Sequence, residues 1–188
     1  MSAPTADRVS DRALALYALI RRATIEHALG QFGDEPIKVR QAETARAETS
    51  RWLEREGVGH TIDEQERTLF EAVSGAWPSD AIADGMWRKE ALGALLWSLR
   101  HVETMPGIDD EFEVSVLNER IERYGSVSSF RANGSLRRED ELEAAWREAD
   151  TWFAATEGRD GTDATLASIS AERSRAFAWL LDDARALP

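Results

Sequence analysis

The run from Ser79 to Val102 constrains this chain more than any other stretch. Ile82, Met86, Trp87, Leu92, Leu95, Leu96 and Leu99 recur at three- and four-residue spacing, yet they cover more than one face of a helix. A helix that is apolar nearly all round has to be enclosed by neighbours, because water on any side would face hydrocarbon. The expectation is a buried central helix over about 79–102. Residues 91–97 carry nothing polar, but a run of seven is far short of the roughly 20 that cross a bilayer.

The flanking segments read as further helices. Val9, Ala13, Leu16, Tyr17, Ile20, Ile25 and Leu29 form one stripe of a helix that opens near Asp7 and is stopped by Gly30 and Gly33. Pro36 suits the first turn of a second helix ending at Gly57, with Trp52 and Leu53 inward, although its polar middle, 41–50, also allows a later start. Thr61 and Glu64 have capping-box spacing ahead of a short helix bearing Leu69, Phe70 and Val73. After Pro106-Gly107, Asp109 or Asp110 can cap a helix to about Tyr124. Residues 125–134 read as a Ser- and Gly-rich loop. Leu142, Trp146, Ala149 and Phe153 mark a helix opening at Ser135 or Arg138. Gly158-Arg-Asp-Gly161 is a turn, and a last helix runs from about Thr165 to Arg185. No strand-like alternation, fixed-period repeat or linker interrupts the pattern. The expected fold is all-α, a single domain of about six or seven helices around the central one, with a flexible N-terminus over about 1–6.

Composition bounds the function. With 43% hydrophobic residues, seven Trp and six Phe, the chain has ample apolar surface to bury. It holds no cysteine, which excludes disulfides, thiolate metal sites and a cysteine nucleophile. The segment 14–20 follows acidic rather than basic residues and precedes no small-residue cleavage site, so the expected compartment is cytoplasmic. A net charge of −12 opposes binding to nucleic acid and to anionic membranes. The acidity is local: seven acidic residues against one Arg over 103–122, and six against one over 139–150. Such a face suits a protein partner with a basic surface or mimicry of nucleic acid, the plainer reading being a solvated helix surface. The basic residues are 21 Arg and only Lys38 and Lys89, which looks like compositional bias.

A search for chemistry finds little. His27, His60 and His101 are scattered, with no Glu three residues ahead of any of them and no His pair four apart, so no metal site is expected. His101 ends the central helix, where the macrodipole favours its protonated form. No nucleophile elbow, phosphate loop or dinucleotide fingerprint occurs, and no catalytic residue or cofactor is expected. What remains are charges set in apolar helices: Arg12, Arg88, Glu90, Glu172 and Arg173, flanked by Trp87, Trp97, Trp152 and Trp179. Arg88 and Glu90 point about 200° apart on a helix and so need different partners, for which Glu172 and Arg173 are the candidates. These charges form either inter-helix salt bridges or a Trp-lined polar pocket for an anion.

The same residues carry a resemblance. Met86-Trp-Arg-Lys-Glu-Ala-Leu-Gly-Ala-Leu-Leu-Trp-Ser-Leu99 is similar to the Trp-Arg-x-Glu-Ala-Leu and Leu-Leu-Trp-Ala-Leu signature of a bacterial family, domain of unknown function 4272. Val9-Ser-Asp-Arg-Ala-Leu-Ala-Leu16 resembles its opening helix, and Glu172-Arg-Ser-Arg-Ala-Phe-Ala-Trp-Leu180 its closing Glu-Arg-x-x-Ala-Leu-Asn-Trp-Leu. The resemblance spans nearly the whole chain. Departures occur near Trp152, where Glu148-Ala-Asp-Thr replaces the family's Tyr-Arg-Leu-His, and at Ala178, where the family usually has Asn. The resemblance brings no activity with it. The leading expectation is a non-enzymatic interaction or adaptor protein with an acidic helical surface. The alternatives are a binder of small anions or an enzyme using the Arg/Glu pocket, and then a nucleic-acid mimic.

Overall fold

The computed structural model describes residues 3–32, 35–156 and 164–182. Its elements are α1 (Ala6–Phe32), α2 (Pro36–Glu56), a single 3-10 turn (Val58–Thr61), α3 (Glu64–Glu71), α4 (Ser79–Ser98), α5 (Val114–Glu122), α6 (Val127–Asn133), α7 (Glu139–Thr156) and α8 (Ala164–Leu181). The fold is all-α, with no strand among the described residues. Contacts divide the chain into two compact units, one of Met1–Ala13 with Lys89–Pro188 and the other of Leu14–Arg88. Neither boundary carries the Pro- or Gly-rich composition of a linker. Gly33, the turn at Gly158–Gly161 and the expected end of the last helix at Arg185 lie outside the described residues, as do the first two residues of the N-terminal arm.

Two helical stretches, not one, are buried on every face, and a third is buried over most of its surface. In α4 the enclosure runs over 90–96, with Trp97 half-buried, whereas most of its first half is open to water. In α1 every residue over 9–20 is buried, so the expected single stripe understates it. In α8, Ile169, Ala176, Phe177, Trp179 and Leu180 are buried together with Ser170, Glu172 and Arg173. Polar side chains inside a helix blur a hydrophobic stripe, and this hid the extent of burial of α1 and α8, although the periodicity gave both helices. At the N-terminus Pro4 is buried and Thr5 Oγ1 accepts from the Arg8 N–H at 3.3 Å, capping α1.

Several helix ends differ from expectation, each for a local reason. Gly30 does not stop α1, which continues to Phe32; one helical glycine weakens a helix by only about 1 kcal/mol. Pro36 does open α2, and Gly57, left-handed at φ 68°, closes it. The capping box is Asp63 with Glu66 rather than Thr61 with Glu64: Asp63 accepts from the Glu66 N–H at 2.8 Å and Glu66 returns to the Asp63 N–H at 3.3 Å. The Thr61 hydroxyl is already used within the 3-10 turn, donating to Val58 O at 2.9 Å. α4 ends at Ser98 rather than near Val102, because Arg100 adopts a left-handed φ of 63° and His101 N–H turns back to Leu96 O at 2.9 Å.

The expected loop at 125–134 is instead mostly a helix. Ser126 Oγ accepts from the Ser129 N–H at 3.1 Å and starts α6, which buries Val127 and Phe130. Two apolar positions are too few to show a period, so tertiary burial decides this element. Beyond it, Ser135 N–H donates to Leu99 O at 3.2 Å and Arg137 N–H to Ser98 O at 2.8 Å, which satisfies carbonyls at the end of α4. α7 packs along α8.

Glycine permits two close approaches along α4. A Cβ at Gly85 would lie 2.9 Å from Ala23 Cβ, and one at Gly93 would lie 2.2 Å from the Phe112 ring. Gly93→Ala is therefore expected to destabilise the protein by about 1–3 kcal/mol through overpacking. In a Phe112→Leu background the added loss should be smaller. Urea unfolding of the four chains checks this, and additivity of the two changes would contradict it.

Candidate functional site

The strongest polar cluster in the Met1–Ala13 and Lys89–Pro188 unit is built on Glu90 of α4 and Arg173 of α8. Glu90 is fully buried and Arg173 is 2% exposed. Arg173 Nε donates to Glu90 Oε2 at 3.0 Å, and Nη2 lies 2.8 Å from the same oxygen. Its Nη1 donates to Pro106 O at 3.1 Å and Gly107 O at 3.0 Å, and Nη2 to Asp110 O at 2.7 Å. Glu90 Oε1 accepts from the Phe112 N–H at 2.9 Å, and the Arg173 guanidinium lies 5.1 Å from the centre of the Phe112 ring. Every N–H of the guanidinium thus has an acceptor. Burial pushes the Glu90 carboxyl above the usual carboxylate range, against the opposing pull of Arg173 and the Phe112 N–H.

This junction is saturated. Every N–H of Arg173 is used within the protein, and the cluster ties three chain segments together. It also explains why α5 starts at Val114 and not near Asp109 or Asp110: the backbone of 106–112 is committed to Arg173 and Glu90, and Glu113 at the N-cap makes no side-chain capping bond. Beside the junction, Lys89 pairs with Glu111.

The other expected residues are placed differently. Glu172 is buried and pairs with Arg175 on its own helix at 2.6 Å. Arg12 is buried in α1, where neighbouring Asp11 pairs with Arg131 at 2.6 Å. Arg88 is half-buried and belongs to the other unit, Leu14–Arg88. Trp179 is fully buried with Arg8 5.9 Å from its ring centre, and Trp97 meets Phe177 edge-on at 5.8 Å with Arg137 4.2 Å above it. Trp87 is half-buried and Trp152 is 41% exposed. The ring that Arg173 covers is Phe112, which is not among the aromatic residues expected to flank the cluster.

The Leu14–Arg88 unit holds a second buried pair that sequence reasoning missed. Arg22 and Glu26, one turn apart on α1, form an ion pair with both side chains at most 1% exposed. Arg22 Nη2 donates to Ala72 O at 2.9 Å and Nη1 to Ser74 Oγ at 3.3 Å. Glu26 Oε2 accepts from the N–H groups of Gly75 at 2.8 Å and Trp77 at 3.3 Å. Glu43 of α2 takes the Ser74 N–H at 2.7 Å. Gly75, at φ 86°, supplies the left-handed turn that aims these groups. An Arg and a Glu four apart within an apolar stripe were the available signal, but solvent-facing pairs have the same spacing.

His101 corrects another expectation. It is 3% exposed, stacks 4.4 Å from Phe130 and has Nδ1 2.8 Å from the Tyr124 hydroxyl. Its pKa is lowered to about 4, first by burial and then by the positive charge of Arg123. Desolvation therefore outweighs the helix-end dipole, and the imidazole is neutral at pH 7. No group of three or more His, Asp or Glu suited to a metal ion occurs among the described residues.

Two measurements check these assignments. Arg173→Met leaves Glu90 buried without its counter-charge and should destabilise the protein by about 3–5 kcal/mol. A Glu90→Leu/Arg173→Met double variant should lose less than the sum of the two single losses. For His101 the folded pKa lies below the ordinary 6.5, so the unfolded chain binds the proton first. Its stabilising effect is complete above pH 6.5 and declines as pH falls towards about 4, a loss of about 3 kcal/mol. His101→Phe should remove that slope from the difference between unfolding free energies at pH 7 and pH 4.5, whereas an unchanged slope would rule out His101 as its source.

No curated protein and no solved structure matches the chain. The profile of one family, described as Domain of unknown function (DUF4272), matches residues 1–186. The buried pair Glu90–Arg173 joins two of the three blocks that carry the resemblance, and the chain belongs to the DUF4272 family.

Proposed function

We propose that this chain is a non-enzymatic interaction protein that presents an acidic loop, residues 103–113, to a partner with a basic surface. One observation carries the reading. The backbone of this loop is held from beneath by the saturated Glu90–Arg173 junction, while Glu103, Asp109, Asp110, Glu111 and Glu113 remain exposed above it. A loop ordered before binding loses little conformational entropy on association, so its charges count more fully towards affinity.

The second acidic block differs in kind. On α7, Glu141 pairs with Arg100 and Arg137, Glu143 with Arg147, and Asp140 with Arg138. Three of its six carboxylates are thus balanced within the protein, which counts against a continuous phosphate-like row and so against nucleic-acid mimicry. The chemistry of the Glu90–Arg173 junction counts against the small-anion alternative at that place, since Arg173 has no donor left. No helix among the described residues is long and apolar enough to cross a membrane.

Capture of partners at low and high salt tests the proposal. The wild-type chain should retain a basic protein at low salt and release it at high salt. A triple variant, Asp109→Asn, Asp110→Asn and Glu113→Gln, should lose that partner by about tenfold while melting at the wild-type temperature. A partner indifferent to both salt and these substitutions, or no partner under either condition, would refute it.

A further inference from the structure

α6 ends on Asn133-Gly134, the single Asn-Gly step in the sequence. Glycine has no side chain to shield its backbone nitrogen, which can therefore attack the side-chain amide carbon of the asparagine before it. Asn118, the other asparagine, precedes Glu119 inside α5 and lacks that opening. The folded chain keeps the reacting groups of Asn133-Gly134 apart. Asn133 is exposed to water, but its Nδ2 donates back to Ser129 O at 2.8 Å, one turn earlier. The Gly134 N–H donates to Arg131 O at 3.1 Å. Asn133 is also the last helical residue, and attack requires its backbone to leave the helical conformation.

This clamp is small. α6 has seven residues, of which Val127 and Phe130 are buried, and it opens on one capping hydroxyl, that of Ser126. Short helices with few buried contacts open locally at far less cost than the whole fold. The segment beyond the clamp depends on its register. Gly134 packs so closely that a Cβ there would lie 3.3 Å from both Leu99 Cδ2 and Ser10 Oγ. Ser135 N–H then donates to Leu99 O at 3.2 Å and Arg137 N–H to Ser98 O at 2.8 Å, while Arg137 Nη2 donates to Glu103 O at 2.9 Å. Residues 134–137 thus fasten the end of α4 and the start of the connector that follows it.

We propose that Asn133 is a site of spontaneous deamidation gated by the last turn of α6, and that its isoaspartate product unfastens the end of α4. With the turn open, the Gly134 nitrogen loses its proton and bonds to Asn133 Cγ. The Cγ–Nδ2 bond breaks, and ammonia leaves with that proton. Water then opens the cyclic imide. Addition at Cγ gives aspartate with the main chain intact. Addition at the main-chain carbonyl carbon of residue 133 routes the chain through Cγ, which gives isoaspartate and inserts one methylene. That methylene moves Gly134, Ser135 and Arg137 out of register with Leu99, Ser98 and Glu103, so the turn cannot close as before. This chemistry belongs to the chain alone and does not rest on the partner-binding reading.

Ageing of the full chain at mildly alkaline pH, followed by peptide mapping and enzymatic methylation of isoaspartate, tests this. The folded chain should form isoaspartate at position 133 at least about tenfold more slowly than a free peptide of residues 126–138, which is too short to hold a helix. Ser126→Ala removes the cap and should raise the folded rate about fivefold, because the open fraction grows as the capping bond is lost. The isolated isoaspartate form should melt below the unmodified chain. Freshly prepared Asn133→Asp carries the charge without the methylene and should melt close to the wild type, and Asn133→Gln should keep its melting temperature on ageing. A folded rate equal to that of the peptide, an unchanged rate in Ser126→Ala, or an isoaspartate form as stable as the unmodified chain would each overturn the proposal.

Discussion

The Glu90–Arg173 pair is the constraint around which the described structure of its unit is arranged. Two charges removed from water lose several kcal/mol of hydration each, and their mutual attraction offsets this only when every remaining donor and lone pair is also satisfied. Two side chains cannot do that alone. The missing acceptors come from the backbone of Pro106, Gly107 and Asp110, and the missing donor from Phe112. The connector over 106–112, which opens on Pro106-Gly107, is thereby held in one irregular path. Phe112, brought down by the same contacts, packs where only a glycine at position 93 leaves room.

The Arg22–Glu26 pair meets the same problem less completely, since Arg22 Nε finds no hydrogen-bond partner among the described residues. Its acceptors and donors come from residues 72–77, the connector that leads into α4, with Gly75 making the turn possible. Each unit therefore has one buried pair and one connector shaped by it. Apolar packing could hold such helices with equal or greater stability, since replacing buried pairs by hydrocarbon is often neutral or favourable. What hydrocarbon lacks is direction. Hydrogen bonds to named carbonyls and N–H groups fix the path of an irregular segment, which apolar contact alone leaves adjustable. For the 106–112 connector, that ordering underlies its reading as a presented acidic surface.

Much of the fold was legible because its signals are local. The apolar run of α4, Pro36 at the head of α2 and Gly57 at its end follow from propensity and backbone sterics, and the structure has them where the sequence put them. The misplaced features depended on distant partners. Residues 127–133 form a helix because Val127 and Phe130 find a buried place. His101 is neutral because the rings of Tyr124 and Phe130 and the charge of Arg123 surround it, which no spacing near residue 101 announces. Thr61 satisfies the same capping pattern as Asp63, and only the 3-10 turn chose between them.

The candidate site divides along the same line. Residue order alone places Glu90 and Arg173 within apolar helical runs and so requires partners for them, because an unpaired buried charge is too unfavourable to persist. It also determined the helical class and the family signature, both properties of residue order. Folding alone brings these two residues together, turns Glu172 to Arg175 and sets three carbonyls on the remaining donors of Arg173. Periodicity reports which face of a helix avoids water, whereas hydrogen-bond saturation depends on groups more than sixty residues away, which meet only when the chain has folded.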